Sequence, residues 1–305
     1  MSQKVLSLYT TVGTSFNQLI GLVLCMRVKQ WTKNLLVFAA LIFSSGQASV
    51  HQININFMAF IIFCFLSSSV YLLNDFVDRK ADRLHLEKCT RPMAAGLLNP
   101  YVGLFGCFFL LSISVIGGII LDQTFALVLI IYFVNNVLYS FKLKHVVLID
   151  IMSIASGFVL RAIGGGLAIK VPLTPWFLLC AFLLSLFLAI GKRRYELNSL
   201  DSQGQHHRKV LKKYSLKLID QLIAIVTTAT IMCYSLFTFT SGKPVELMFT
   251  IPVVIYGIFR YLYLIYVENK GGTPEEILVS DKPILLSVVF YSVLVVVILK
   301  NYPSP

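Results

Sequence analysis

The sequence predicts an all-α, polytopic membrane protein, a bundle of about nine transmembrane helices, and three observations carry that reading. Hydrophobic residues make up 57% of the 305 and charged residues only 13%, about half the charged share of a soluble globular chain. The mean hydropathy is +0.80. Apolar runs recur along the chain near the length of about 20 residues that crosses about 30 Å of hydrocarbon. They are continuous rather than alternating, which argues against the ten-residue strands of a membrane β-barrel.

In order, the runs fall at 34–46, which is short, then 55–74, 101–121, 123–141, 146–168, 174–191, 218–240, 247–267 and 283–300. Residues 1–30 read as an N-terminal interfacial segment. The stretch 5–25 is apolar but interrupted by Thr10, Thr11, Gly13, Thr14, Ser15, Asn17 and Gln18, which suits a helix lying in the headgroup region. No A-x-A cleavage site follows it, so it does not read as a signal peptide. Nothing in composition marks a linker or second domain, and residues 1–305 are expected to form one integral-membrane domain. The six cysteines show no metal-ligand spacing and read as packing residues.

The basic residues give the chain a sidedness. With these spans, all but five of the 26 Lys and Arg fall before the first span or in alternate loops, the exceptions being Arg161, Lys170, Lys243, Arg260 and Lys300. Excess Lys and Arg mark cytoplasmic loops. The expected location is therefore the inner (cytoplasmic) membrane, multi-pass, with the N-terminus inside. The formal net charge of +12 then points to anionic ligands at that face rather than to nucleic acid. Of the acids, only Asp122 and Glu246 fall on the opposite face. The two long loops of the basic face, 75–100 and 192–217, are the natural place for chemistry.

The sharpest chemical feature is Asn74-Asp75-Phe76-Val77-Asp78-Arg79-Lys80-Ala81-Asp82, at the end of the second span. If the helix continues through it, Asp75, Asp78 and Asp82 repeat at i, i+3 and i+7 and share one face. Three stacked carboxylates require a cation, and hard carboxylate oxygens shared with substrate phosphates are the usual setting for Mg2+. The alternative is neutralisation by the adjacent Arg79, Lys80 and Arg83. Arg161 lies inside a span, where a charge needs a partner or a watery cavity. Asp150 shares its face about 16 Å away along the axis, too far for contact, so Arg161 is expected to brace the interior or meet another acid. Gly164-Gly165-Gly166 reads as a close-packing site, since no strand-to-helix context for a phosphate loop surrounds it. His206-His207 read as part of a solvated loop.

The combination of N-D-x-x-D-x-x-x-D after the second span with Arg91-Pro92-Met93-Ala94-Ala95-Gly96 closing the loop resembles the UbiA-type intramembrane prenyltransferase superfamily. The resemblance runs from about Met26 to Lys300. It implies nine helices around a central cavity and aspartate loops that bind diphosphate through Mg2+. Asn74, Asp75, Asp78 and Asp82 would then be catalytic, with the three aspartates as metal ligands.

Arg27-Val28-Lys29-Gln30-Trp31-Thr32-Lys33-Asn34, Gly157-Phe158-Val159-Leu160-Arg161-Ala162-Ile163-Gly164-Gly165, Gly191-Lys192-Arg193-Arg194-Tyr195-Glu196-Leu197 and Gly272-Thr273-Pro274-Glu275-Glu276 resemble one branch of it. Members of that branch transfer 5-phosphoribose from phosphoribosyl pyrophosphate to a decaprenyl-like polyprenyl phosphate. Relatives that prenylate aromatic acids carry a second D-x-x-x-D after the sixth span. This sequence has Lys192, Arg193 and Arg194 there, with Glu196 the nearest acid.

Charge counting favours the same branch. Phosphoribosyl pyrophosphate and a lipid phosphate together bring three phosphate-bearing groups. If Mg2+ holds the leaving pyrophosphate, the 5-phosphate and the lipid phosphate fall to Lys and Arg donors. Lys29, Lys33, Arg91, Lys192, Arg193 and Arg194 are the candidates, with Arg161 and Glu196 completing the substrate-binding set, although juxtamembrane basic residues also serve as headgroup anchors. The runner-up is an aromatic prenyltransferase acting on a prenyl diphosphate and 4-hydroxybenzoate or a quinone precursor. A transporter would instead place ionisable residues near the midplane, whereas nearly all charge here lies at one face.

Overall fold

The computed structural model describes residues 14–43, 49–84, 88–203 and 210–302, and every regular element in them is helical. A helix α1 (Thr14–Cys25), a 3-10 segment (Val28–Phe38) and a short α2 (Ala39–Ile42) precede the first long helix, α3 (Val50–Asp82). Then follow α4 (Pro100–Leu121), α5 (Gln123–Phe141), α6 (Ile149–Ala168), α7 (Pro175–Gln203) and α8 (Leu216–Thr240). A 3-10 turn (Val245–Thr250) leads into α9 (Ile251–Tyr266), and α10 (Pro274–Ser280) and α11 (Lys282–Asn301) complete the chain. Among the described residues, eight helices are long and apolar enough to cross a membrane, and each coincides with one of the runs expected from 55 onward.

Local chemistry sets the ends of these helices. Ser49 and Gln52 form a capping box at α3, with Ser49 Oγ accepting from Gln52 N at 3.2 Å and Gln52 Oε1 accepting from Ser49 N at 3.0 Å. Asn99 caps α4 just before Pro100, whose missing N–H is no loss at a first turn. Asp122 alone joins α4 to α5. Its extended backbone breaks the helix, and its carboxylate accepts from Thr124 N at 2.7 Å and Phe125 N at 3.2 Å.

The run at 34–46 takes a form the apolar pattern does not predict. Its described part is the end of the 3-10 segment plus α2, and residues 44–46 lie outside the described residues. Runs of 3-10 helix this long are uncommon because the hydrogen bonds are poorer, and here side chains of neighbouring helices hold the segment. Asn34 Nδ2 donates to Ser67 Oγ at 3.1 Å and Trp31 Nε1 to Ser68 Oγ at 3.1 Å. From the other side α6 closes in, and Gly165 allows it: a Cβ there would fall 1.9 Å from the Val37 carbonyl oxygen. The triple glycine is therefore a close-packing site, with Gly164 against Phe63 and Gly166 against the Val171 carbonyl.

Sequence neighbours pack as spatial neighbours from α3 through α9. One apolar core joins α3, α5 and α6 through Phe63, Leu66, Phe125, Tyr132 and Ala168, and another joins α7, α8 and α9 through Phe187, Ile190, Ile223 and Tyr261. Outward positions such as Phe105, Phe109, Ile120 and Phe290 stay exposed, as expected where lipid is the solvent. The 12 described residues of α1 are too few to span. Its Gly21 and Leu22 pack on Leu98 and Gly106 beside α3 and α4. All six cysteines are free thiols.

Candidate active site

The two expected loops are shorter than the apolar pattern implies, because α3 runs on to Asp82 and α7 to Gln203. Asp75, Asp78 and Asp82 thus ride on the last turns of α3, and the basic stretch 192–194 rides on α7. Asp75 and Asp82 are buried, while Asn74 and Asp78 are half-buried. The adjacent basic residues do not neutralise the three aspartates. Arg79 Nη1 donates to its own helix at Phe76 O, 2.5 Å away, and Arg83 Nε donates to Ala94 O at 3.1 Å.

The partners come from elsewhere in the chain. Arg91 Nη1 lies 2.7 Å from Asp82 Oδ2 and 3.2 Å from Asp75 Oδ1, so a single nitrogen touches both carboxylates and marks a point on which they converge. Arg27 Nη2 donates to the same Asp75 oxygen. Lys144 Nζ, from the turn between α5 and α6, holds Asp78 Oδ1 at 2.7 Å. Arg27 itself has a left-handed backbone, φ 52° and ψ 55°, which costs a non-glycine residue about 1–2 kcal/mol and turns the chain from α1 into the 3-10 segment above Asp75.

Arg91 is held by a compact turn in which Ala95 N donates to Arg91 O at 2.8 Å and Leu97 N to Pro92 O at 2.8 Å, with Met93 buried beneath. Gly96 completes the turn at φ +78°, a conformation glycine takes without steric cost. Cys25 is buried under the cluster. Burial and the nearby Asp75 carboxylate push its thiol up to about 12, so it remains a neutral packing group.

Deeper along α3, about 12 Å from Asp75 by helical rise, Ser67 and Asn34 lead to Arg161. Its guanidinium is buried and donates to Asn34 Oδ1 at 2.7 Å, Tyr132 OH at 2.6 Å and Gly157 O at 3.0 Å. It also lies over the rings of Tyr132 and Phe158, 4.8 and 5.1 Å from their centroids. These groups are neutral, and among the described residues no acid pairs with Arg161. The residue braces the interior between the 3-10 segment, α5 and α6.

Asp150 is fully buried and bound to Arg193, with Nε to Oδ2 at 2.8 Å. Arg193 Nη1 also donates to Glu196 at 2.6 Å. The other Asp150 oxygen accepts from Tyr214 OH at 2.7 Å, and Tyr214 OH accepts from Leu148 N at 2.7 Å. Burial, reinforced by the hydrogen bond to Asp150, raises the Tyr214 phenol above its ordinary range. The network knots the starts of α6 and α8 to the end of α7. Arg193 is thereby engaged by two carboxylates. Arg194 Nε is bound to Asp220 at 2.8 Å, with its guanidinium 4.0 Å from the Tyr266 ring. Lys192 is half-buried on the same helix, and Lys29 and Lys33 lie exposed and half-buried on the 3-10 segment that follows Arg27.

Of the sequence-level set, Arg91 joins Asp75 and Asp82, Arg193 joins Glu196, Arg194 joins Asp220, and Arg161 pairs with no acid among the described residues. Arg27, Lys144 and Tyr214 join the site without having been singled out, and Asp150, weighed above only against Arg161, joins it through Arg193. Only two Lys fall in the short 142–145 connection beside the aspartate end, and that scarcity was the available signal for Lys144. Glu276 lies in the first turn of α10, where Pro274 opens the helix and Thr273 Oγ1 donates to the Glu276 carboxylate at 2.9 Å. His206 and His207 lie outside the described residues.

Comparison with known proteins places this architecture. The chain is 33% identical to the decaprenyl-phosphate phosphoribosyltransferase of Mycolicibacterium smegmatis, with 89% of this chain and 90% of that protein covered. It is 36% identical to the protein of the same name from Corynebacterium glutamicum, covering 86% and 81%. The fold matches a solved UbiA homolog from Archaeoglobus fulgidus, bound to GPP and Mg2+, with a TM-score of 0.71, 18% identity, and 92% and 99% of the two chains covered. The model of the UbiA prenyltransferase family matches residues 35–275, and the chain belongs to that family.

Proposed function

We propose that this protein transfers 5-phosphoribose from phosphoribosyl pyrophosphate to a polyprenyl phosphate and releases pyrophosphate, at the end of the bundle where α3 terminates. The observation that carries the reading is the pairing of each motif aspartate with a cation from outside its own helix, Arg27 and Arg91 on Asp75, Arg91 on Asp82 and Lys144 on Asp78. Such a mouth offers both metal-binding oxygens and phosphate donors, which substrates with three phosphate-bearing groups require. The named relatives in M. smegmatis and C. glutamicum support the same choice. The site would face the cytoplasm across the inner membrane, following the distribution of Lys and Arg.

The aspartates suit Mg2+. Two carboxylates already converge on one cationic point at Arg91 Nη1. Among the described residues no three His, Cys, Asp or Glu side chains gather into a metal cage, and Mg2+ is ordinarily held by one or two carboxylates plus substrate phosphates. Asp75 and Asp82 are the residues that would hold it, with Asp78 beside them on Lys144, and it would neutralise charge on the leaving pyrophosphate.

This chain's own groups do the rest. Arg27, Arg91 and Lys144 donate to phosphate oxygens, and Lys29, Lys33 and Lys192 add positive charge for the 5-phosphate and the lipid phosphate. The bond from the anomeric carbon to the pyrophosphate oxygen breaks with oxocarbenium character. The bond to the lipid phosphate oxygen then forms, and fixed cations lower the barrier where negative charge develops. The acceptor is already an anion, so no general base is needed. The test is purified protein with labelled phosphoribosyl pyrophosphate and decaprenyl phosphate, beside polyprenyl diphosphate with 4-hydroxybenzoate. Labelled lipid only in the first pair is expected; product only in the second would replace this reading with aromatic prenylation.

A further inference from the structure

We infer that Arg91 is an internal counter-ion that occupies the convergence point of Asp75 and Asp82 until a phosphate takes it away, so that divalent metal and phosphate bind this protein cooperatively through Arg91. The inference rests on the metal-site reading above and deepens it. Arg91 Nη1 contacts Asp82 Oδ2 at 2.7 Å and Asp75 Oδ1 at 3.2 Å. A cation that takes these oxygens must displace the guanidinium, since both cannot occupy one point between two carboxylates. Arg91 is only about a quarter exposed, and Asp75 and Asp82 are nearly fully buried. A displaced guanidinium therefore leaves two charge-assisted hydrogen bonds for incomplete hydration.

Metal alone bears that loss. Metal arriving with a phosphate does not, because the anion offers Arg91 new acceptors of the geometry a guanidinium favours. The backbone around Arg91 is anchored by the 91–97 turn and by buried Met93, so the exchange needs only side-chain motion. Arg27 stays on Asp75 throughout and keeps that carboxylate from being left bare. By linkage, the factor by which phosphate tightens metal binding equals the factor by which metal tightens phosphate binding.

The test is Mn2+ binding to the full-length purified protein, by calorimetry or manganese electron paramagnetic resonance, without substrate. Arg91→Gln should bind Mn2+ alone about tenfold more tightly than wild type, equivalent to about 1.4 kcal/mol. The same variant should bind pyrophosphate with Mn2+ more weakly. This opposite sign separates an internal counter-ion from a plain phosphate ligand, which would leave Mn2+ alone unchanged, and from a purely structural residue, which would weaken both. A wild-type arm is immune to folding defects: inorganic phosphate, a weak chelator, should tighten Mn2+ binding. Unchanged or weaker Mn2+ binding in a folded Arg91→Gln variant, or no effect of phosphate on wild type, overturns the inference. Asp75→Asn tells the two readings apart. If it abolishes Mn2+ binding while Arg91→Gln fails to tighten it, only the counter-ion inference falls. If it leaves Mn2+ binding intact, the metal site itself falls and takes the inference with it.

Discussion

Arg193 on α7 and Asp150 on α6 form a buried ion pair, 2.8 Å from Nε to Oδ2, with 2% and 0% of their side chains exposed. A pair so enclosed cannot be opened cheaply from one side, because the remaining charge loses its buried counter-charge and keeps only Glu196 on Arg193 or the Tyr214 hydroxyl on Asp150. Removing one member of a buried pair typically costs about 3–5 kcal/mol. Asp150→Ala and Arg193→Met should each lower the thermal midpoint in detergent sharply. The double variant should lose less than the sum of the two. Arg193→Met should therefore change substrate affinity only through stability, whereas Lys192→Gln should weaken substrate binding and leave the midpoint in place. An Arg193→Met protein of normal stability with a raised KM would reverse these roles.

Gly165 and Val37 set the second expectation. A Cβ at 165 would stand 1.9 Å from the Val37 carbonyl oxygen, and that oxygen belongs to a backbone held between α3 and α6. Gly165→Ala should therefore push the 3-10 segment away from Arg161 and sharply reduce the yield of folded protein. Gly96 makes the control, since nothing lies within 4 Å of its added Cβ. Gly96→Ala should cost about 1–2 kcal/mol, through its left-handed backbone alone. Equal yields of the two variants would show that the segment can yield at Val37.

The contrast between these positions shows what the sequence holds openly and what it conceals. The eight long helices are legible because each is a continuous apolar run, and caps such as Ser49, Asn99 and Asp122 are local chemistry. The run at 34–46 misleads, because Asn34 and Trp31 answer to Ser67 and Ser68 across a helix interface rather than to their own turn. The aspartate motif is legible as a constellation, but its partners are not. Arg27 and Lys144 stand 48 and 66 residues from the motif aspartates they bind, as Arg193 stands 43 from Asp150, and no local spacing encodes such pairings.

Loss of the motif carboxylates gives the third expectation. Asp75→Asn and Asp78→Asn should each reduce turnover at least about a hundredfold, the scale of losing a principal electrostatic contributor. Helix position alone would make Asp82 the mildest of the three, since it lies farthest from the span. Arg91 instead groups Asp82 with Asp75, so Asp82→Asn should fall closer to Asp75→Asn than to wild type. A chelator should abolish turnover and added Mg2+ restore it. Turnover that survives the chelator would exclude a divalent metal from the reaction.

Arg161 gives a fourth expectation, drawn from a missing counter-charge. Its donors meet Asn34, Tyr132 and Gly157, all neutral, so its positive charge is not cancelled within the described site. Arg161→Lys keeps the charge and loses the fork that reaches three acceptors, whereas Arg161→Met loses both. If Arg161 only braces the packing, both variants should lose stability similarly and the folded fraction should keep its KM for polyprenyl phosphate. If the charge draws the acceptor phosphate toward the interior, Arg161→Met should raise that KM about tenfold or more, and Arg161→Lys should retain most of the affinity.

Sidedness is the last expectation, and it decides whether the site can reach a soluble phosphoribosyl donor at all. Lys80 is exposed near the end of α3, and Lys243 lies in the turn after α8. α3 and α8 are separated by enough antiparallel spans that these positions fall at opposite ends of the bundle. A cysteine at 80 in the intact cell should resist a membrane-impermeant maleimide until the membrane is opened, while one at 243 should react at once from outside. Position 205 would be a second inside marker, although it lies outside the described residues. Labelling of 80 and 243 from the same side would contradict the antiparallel order of the helices. Labelling of 80 from outside and 243 from inside would keep the fold but invert it, and the aspartates would then face away from the compartment that supplies phosphoribosyl pyrophosphate.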